Sequence, residues 1–178
     1  MEILMSSTNG NVIPHEVYPT PSKIVRSLMS LITFRSTDKF LEPCIGHGNI
    51  MDEIPLPPNQ RYSAEIRHRQ DYLTTEFPTM DVIITNPPFS LTTEFLTKSK
   101  SELAPDGTLI YLQRLNFLGS IKRVHFWNKF TYPHKIIILV PRPRFVYGRS
   151  DSNEYAWFVW DYGNRLPNLP PISNIVSI

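Results

Sequence analysis

Apolar residues recur along this chain with two periods. Continuous or alternating apolar runs fall near 38–41, 61–65, 82–85, 108–113, 135–140 and 155–160. Residues 82–84 are Val-Ile-Ile, which predicts a strand buried on both sheet faces, while 135–140 (KIIILV) and 155–160 (YAWFVW) read as two further strands in a hairpin. Between these runs the apolar positions 24, 25, 28, 31 and 32 follow helical spacing over 22–34, with Pro21 as a first-turn residue. A second helix is expected over 90–103, ended by Pro105-Asp106-Gly107, a third over 116–129, and a further one from about Asn49. Strands alternating with helices predict an open, doubly wound α/β sheet. Six strands are visible, the last returning antiparallel, and a seventh is expected in 1–17 or 72–80. Residues 1–17 read as a loose arm, and 161–178, with Pro167, Pro170 and Pro171, as an extended tail.

The strand at 82–85 stops abruptly at Asn86-Pro87-Pro88-Phe89. Two prolines supply no amide hydrogen and fix φ, so the result is a rigid corner at the carboxyl end of a strand, where open α/β sheets bind ligands. Asn86 Oδ1 and the Pro87 carbonyl are both acceptors, and Pro88 brings no N–H to compete for them. Together they suit an aromatic NH₂ group: two accepted bonds draw the nitrogen lone pair out of conjugation and aim it at an electrophile. Phe89 offers an apolar face on which an unstacked base can lie.

Three further stretches carry chemistry. Tyr18-Pro19-Thr20-Pro21 leads into the first helix. Glu42-Pro43-Cys44-Ile45-Gly46-His47-Gly48 follows the first strand, and its two glycines permit a tight turn and close approach to a ligand. Met51 stands where a dinucleotide fingerprint would want a third glycine. Glu65 ends the second strand 19 residues after Gly46, the spacing of a ribose-binding carboxylate, with Ile66 beside it and Asp71-Tyr72 just beyond. Cys44 has no basic partner nearby and reads as a small buried side chain rather than a nucleophile.

In this order the motifs resemble those of the S-adenosylmethionine-dependent N6-adenine methyltransferases of the γ arrangement, in a small form of phage or bacterial type. The resemblance covers 18–160. It implies a seven-stranded class I methyltransferase (Rossmann-like) sheet with an antiparallel last strand, and S-adenosylmethionine as cofactor. The cofactor would be lined by Tyr18, Thr20, Pro21, Glu42, Pro43, Cys44, Gly46, Gly48, Glu65, Ile66, Asp71, Tyr72 and Asn86. Glu42 would lie near its amino group and Asp71 would accept from its adenine. Asn86, Pro87, Pro88 and Phe89 would form the catalytic corner, with Phe145 as second wall of the base pocket and Arg142 and Arg144 on the nucleic acid.

Length and charge sharpen this picture. A chain of 178 residues, 41% hydrophobic, suits one domain, here 18–160, and leaves no room for a separate target-recognition domain. One cysteine and no Cys/His cluster of zinc spacing exclude a disulfide framework and point to a site without metal. No membrane-spanning run or signal sequence is visible, so an intracellular, cytoplasmic protein is expected. Net charge is +2, yet no acid stands between Asp106 and Asp151, an interval that holds Arg114, Lys122, Arg123, Lys129, Lys135, Arg142, Arg144 and Arg149 interleaved with aromatics. That favours a nucleic-acid partner. The expected activity is methyl transfer to adenine N6 in DNA with low sequence preference, a homodimer or partner subunit supplying any specificity. Alternatives are adenine methylation in RNA, methylation of a protein glutamine, and a non-catalytic subunit that binds cofactor or nucleic acid.

Overall fold

The computed structural model describes residues 4–6, 12–14, 19–145 and 152–176. Strands β1 (Leu4–Ser6) and β2 (Val12–Pro14) pair antiparallel as a small ladder of their own. Helix α1 (Ser22–Met29) leads to β3 (Phe40–Glu42), β4 (Arg61–Ser63) and β5 (Met80–Thr85). Helix α2 (Thr92–Glu102), β6 (Leu103–Arg114), α3 (Val124–Phe130), β7 (Lys135–Val140), β8 (Tyr155–Asp161) and β9 (Ile172–Val176) complete the chain. Strands β3 to β9 make one seven-stranded sheet in the order β4-β3-β5-β6-β8-β7-β9. β4, β3, β5 and β6 run parallel, β8 is antiparallel to both its neighbours, and β9 lies parallel to β7.

Period two divides the central strands between two cores. Val82, Ile84, Ile110, Leu112, Trp157 and Val159 face a core shared with Ile24, Val25 and Leu28 of α1. Ile83, Leu109, Tyr111, Phe158 and Trp160 face the other, with Phe95 and Leu96 of α2 and Trp127 of α3. Each large side chain so buried contributes roughly 1.5–3 kcal/mol. A sheet covered on both sides must carry its ligands at a strand edge or end.

Several elements differ from the sequence expectation. The seventh strand is β9, within 161–178, so the sheet does not end at residue 160. Residues 72–80 supply only the first residue of β5. The helix expected from about Asn49 is a single 3₁₀ turn, Met51–Glu53, followed closely by Pro55. The third helix is shortened to α3, preceded by 3₁₀ turns at Leu115–Phe117 and Ile121–Arg123. Pro105-Asp106-Gly107 does not end a helix in open loop but sits inside β6, where the β5 register jumps from Met80↔Leu103 to Val82↔Thr108.

The 161–178 segment is anchored before it reaches the sheet. Arg165 and Asp38 are both buried, and the guanidinium meets the carboxylate through Nη2–Oδ1 and Nε–Oδ2 bonds. Arg165 Nη1 also donates to the Asp106 carbonyl at 2.9 Å, and Asp38 Oδ2 accepts from the Arg35 amide. Removing one member of such a buried pair strands the other charge. Arg165→Leu is therefore expected to cost about 3–5 kcal/mol in urea unfolding, whereas Arg35→Leu, which breaks the exposed Arg35–Asp106 pair, should change the midpoint little.

Candidate functional site

Because β3, β4, β5 and β6 are parallel, their carboxyl ends share one rim. Glu42 closes β3, Glu65 follows β4, Asn86 follows β5, and Arg114 closes β6. The glycine loop stands between the first two. Gly46 has φ +54 and Gly48 φ +84, left-handed values that only glycine adopts without strain. Glu65 holds this loop down: Oε2 accepts from the Gly46 amide at 2.9 Å, and Oε1 from the Arg67 amide and Nε, both at 3.1 Å. Arg67 Nη2 completes the clamp on the Gly46 carbonyl at 3.1 Å. Burial pushes the Glu65 carboxyl up, but the Arg67 side chain and amide, the Gly46 amide and the Arg67 charge together hold it below its ordinary value.

Glu42 is in the opposite condition. It is 2% exposed, and its Oε2 has no hydrogen-bond partner among the described residues. Burial pushes its carboxyl up to about 9, reinforced by the charges of Asp52 and Glu65 and opposed by the Met51 amide. A buried acceptor beside a glycine turn fits a ligand that brings a cation or donor to it. Asn49 Nδ2 donates to the Thr20 carbonyl at 2.7 Å, which draws the buried Thr20 and Pro21, at the start of α1, to the same loop.

The other candidates are placed as follows. Pro43 is buried and Cys44 partly so, and burial, foremost, pushes the Cys44 thiol up. Ile66 begins the 3₁₀ turn that Glu65 caps. Asp71 Oδ1 accepts from the Leu73 amide at 3.0 Å, closing an Asx turn. Tyr72 lies in the core against Phe95, its hydroxyl bonded to Ser99 and Glu102 at 2.8 Å, which makes it a packing residue. Tyr18 lies outside the described residues.

At the β5 corner, Pro87 and Pro88 are buried and Asn86 Oδ1 is excluded from solvent. Phe89 lies 6.0 Å from the Tyr155 ring, and Phe145 lies 4.9 Å from it on an edge. The expected second wall is thus within one ring of the first. Arg114, which sequence reasoning did not single out, sets its guanidinium 5.1 Å from the Phe89 ring and donates from Nε to the Tyr155 hydroxyl at 3.1 Å. Gln113 steadies the corner from behind, bonding Thr92 Oγ1, which in turn donates to the Phe89 carbonyl. Arg142, expected on a phosphate, is paired with Glu154, and Arg144 is exposed. A shallow groove of about 710 Å³ lies elsewhere, along α2 by Thr93, Thr97 and Ser101, and contains none of the rim residues.

No protein-family model matches the chain, and no curated protein is significantly similar to it. Solved structures do match. A Listeria monocytogenes protein assigned to the class I S-adenosylmethionine-dependent methyltransferases superposes with a TM-score of 0.65 at 15% identity, over 92% of this chain and 68% of that one. This chain has the class I methyltransferase fold. A Vibrio vulnificus protein assigned as modification subunit of a type I restriction enzyme superposes at 0.63 with 15% identity, over 83% of this chain but 45% of its own length. A precorrin-6y C5,15-methyltransferase from Geobacter metallireducens reaches 0.54 at 16% identity, over 78% and 88%. A protein named as a restriction-enzyme modification subunit and one named as a precorrin methyltransferase thus share this fold. Among the described residues no group of His, Cys, Asp and Glu is arranged to hold a metal, and no helix is long and apolar enough to cross a membrane.

The state of Glu42 has a measurable consequence. Its carboxyl keeps a proton to about 9 in the folded chain against an ordinary value of 4.5, so between these values the folded state binds the extra proton. Stability then falls as pH rises through that window and levels off above it. Glu42→Gln should remove this slope, and thermal melting of both proteins across the window should diverge in favour of the variant toward the alkaline end.

Proposed function

We propose that the protein is an S-adenosylmethionine-dependent methyltransferase acting on the N6 amino group of adenine in DNA. One observation carries the reading. The Asn86-Pro87-Pro88-Phe89 corner stands on the same rim as the glycine loop and the solvent-excluded Glu42 carboxyl, and its Phe89 ring clusters with Tyr155 and, through it, Phe145. A cofactor pocket and a base pocket then meet at Asn86.

The residues present fit the cofactor. Glu42 offers a buried acceptor to its ammonium group, and the turn at Gly46 and Gly48 lets the backbone approach its body without Cβ contact. Glu65, already occupied with the loop, positions that turn and retains one acceptor site, on Oε2, for a ribose hydroxyl. When bound there, S-adenosylmethionine would supply an electrophilic methyl group on a sulfonium centre that keeps the bonding electron pair as the methyl departs.

The chain's own task is to present the amine. Phe89 stacks the adenine, and Phe145 and Tyr155 close the pocket beside it. Asn86 Oδ1 and the Pro87 carbonyl accept the two N6 hydrogens, so the lone pair points out of the ring plane toward the methyl group. A carboxylate in that place would favour a protonated, unreactive amine; an amide does not. The methylated nitrogen is acidic and gives its proton to solvent, so catalysis consists of positioning and lone-pair localisation, without a strong base. Arg144 and the lysines of the acid-free interval favour a polyanion over a small neutral substrate.

Incubation with isotopically labelled cofactor and mixed-sequence DNA, followed by hydrolysis to nucleosides, should yield labelled N6-methyladenine. Label in cytosine, in protein, or nowhere would refute the assignment. Asn86→Ala should lower turnover on the order of a hundredfold or more while cofactor affinity stays within about threefold, because the lost acceptor acts mainly at the transition state. Retention of most of the turnover would make the corner structural.

A further inference from the structure

Residues 115–124 leave the carboxyl end of β6, and the β5–β6 register Thr85↔Tyr111 is parallel, so this segment departs from the same edge as Asn86. It is held rigidly. Arg123 Nε donates to the Phe117 carbonyl at 2.9 Å and its guanidinium sits 4.4 Å from the Phe117 ring, which is itself buried against Trp127. The clip leaves Ile121 at the tip, 85% exposed, the most exposed large apolar side chain among the described residues. Val124, 47% exposed, continues the apolar surface, and Lys122, His125 and Lys129 flank it. No acid occurs from 107 to 150 in the sequence, so the tip's own segment carries cations and no carboxylate.

An isoleucine that a charge-assisted clip keeps out of the core needs a partner offering both negative charge and an apolar cleft. A nucleic-acid duplex offers both: phosphates for the cations and a base step for the wedge. We infer that Ile121 is a wedge that enters the base stack of a DNA duplex, holding open the gap left when a base moves to the Phe89 pocket. The inference rests on the nucleic-acid substrate proposed above. It assigns Lys122 and Lys129 to phosphates and leaves Arg123 as the residue that keeps the wedge presented. Removing a base from a duplex costs unstacking that a single strand does not require, so the wedge matters only for the duplex.

Binding of the purified chain to a fluorescein-labelled 20-mer, as single strand and as duplex, separates the two cases by anisotropy. Ile121→Ala is expected to lower the ratio of duplex to single-strand affinity about tenfold, the loss of an inserted apolar side chain, with the salt slope unchanged. Ile121→Phe should restore the ratio, and Lys122→Ala should instead reduce the salt slope. An unchanged ratio in Ile121→Ala, including an equal loss for both probes or self-association relieved by the substitution, would overturn the wedge and leave the methyltransferase assignment standing. A shifted ratio in a protein that methylates no adenine would support the wedge and refute the assignment. Failure of the parent to bind either probe would refute both.

Discussion

Burial of β5 and β6 on both faces is the constraint on which the rest of the molecule depends. Val82, Ile83, Ile84, Leu109, Ile110, Tyr111 and Leu112 are fully excluded from solvent, so polar chemistry is displaced toward the strand ends. At the β5 end the prolines prevent further sheet pairing, and the backbone turns with Asn86 and Phe89 on a fixed corner. The parallel arrangement of β3 to β6 then gathers Glu42, Glu65, Asn86 and Arg114 on one rim although up to 72 residues separate them in sequence.

Two carboxylates on that rim are set apart by their surroundings. Glu65 is met by two amides and a guanidinium and fixes the glycine loop to the end of β4; Glu42, one strand over, has a buried oxygen that nothing in the described chain satisfies. The first is a structural charge, and the second a protonated carboxyl whose buried oxygen is unmet. This division is what makes the loop a candidate cradle rather than a mere turn, because its shape is maintained from one side and its unmet hydrogen-bonding capacity faces the other.

Much of this was legible in the chain because burial on two faces leaves an unmistakable mark: the β-branched and aromatic runs at 82–84 and 155–160 have no other economical use. Left-handed glycines at 46 and 48 and the Pro-Pro stop were equally readable, since the backbone demands them. Strand β9 was not, because its Ile-Ser-Asn-Ile-Val sequence is half exposed and stands behind three prolines, and its place depends on the Arg165–Asp38 pair formed across 127 positions. Nor did the position of Tyr72 after Asp71 disclose that its ring packs on Phe95 and its hydroxyl meets Ser99, both of α2. Arg114 was legible only as one cation of the acid-free interval, and its meeting with Tyr155 was not legible. An arginine at a strand end and a tyrosine at a strand start carry no local signature, and only the antiparallel pairing of β6 with β8 sets them opposite each other beside Phe89.

The account stands on one claim above the others, that the rim between Glu42 and Asn86 holds S-adenosylmethionine. Isothermal titration of the purified chain with that compound addresses it directly. Saturable one-to-one binding is expected, weakened by Glu65→Ala through loss of the loop clamp. Absence of binding by the parent, or affinity undiminished in the variant, would contradict it.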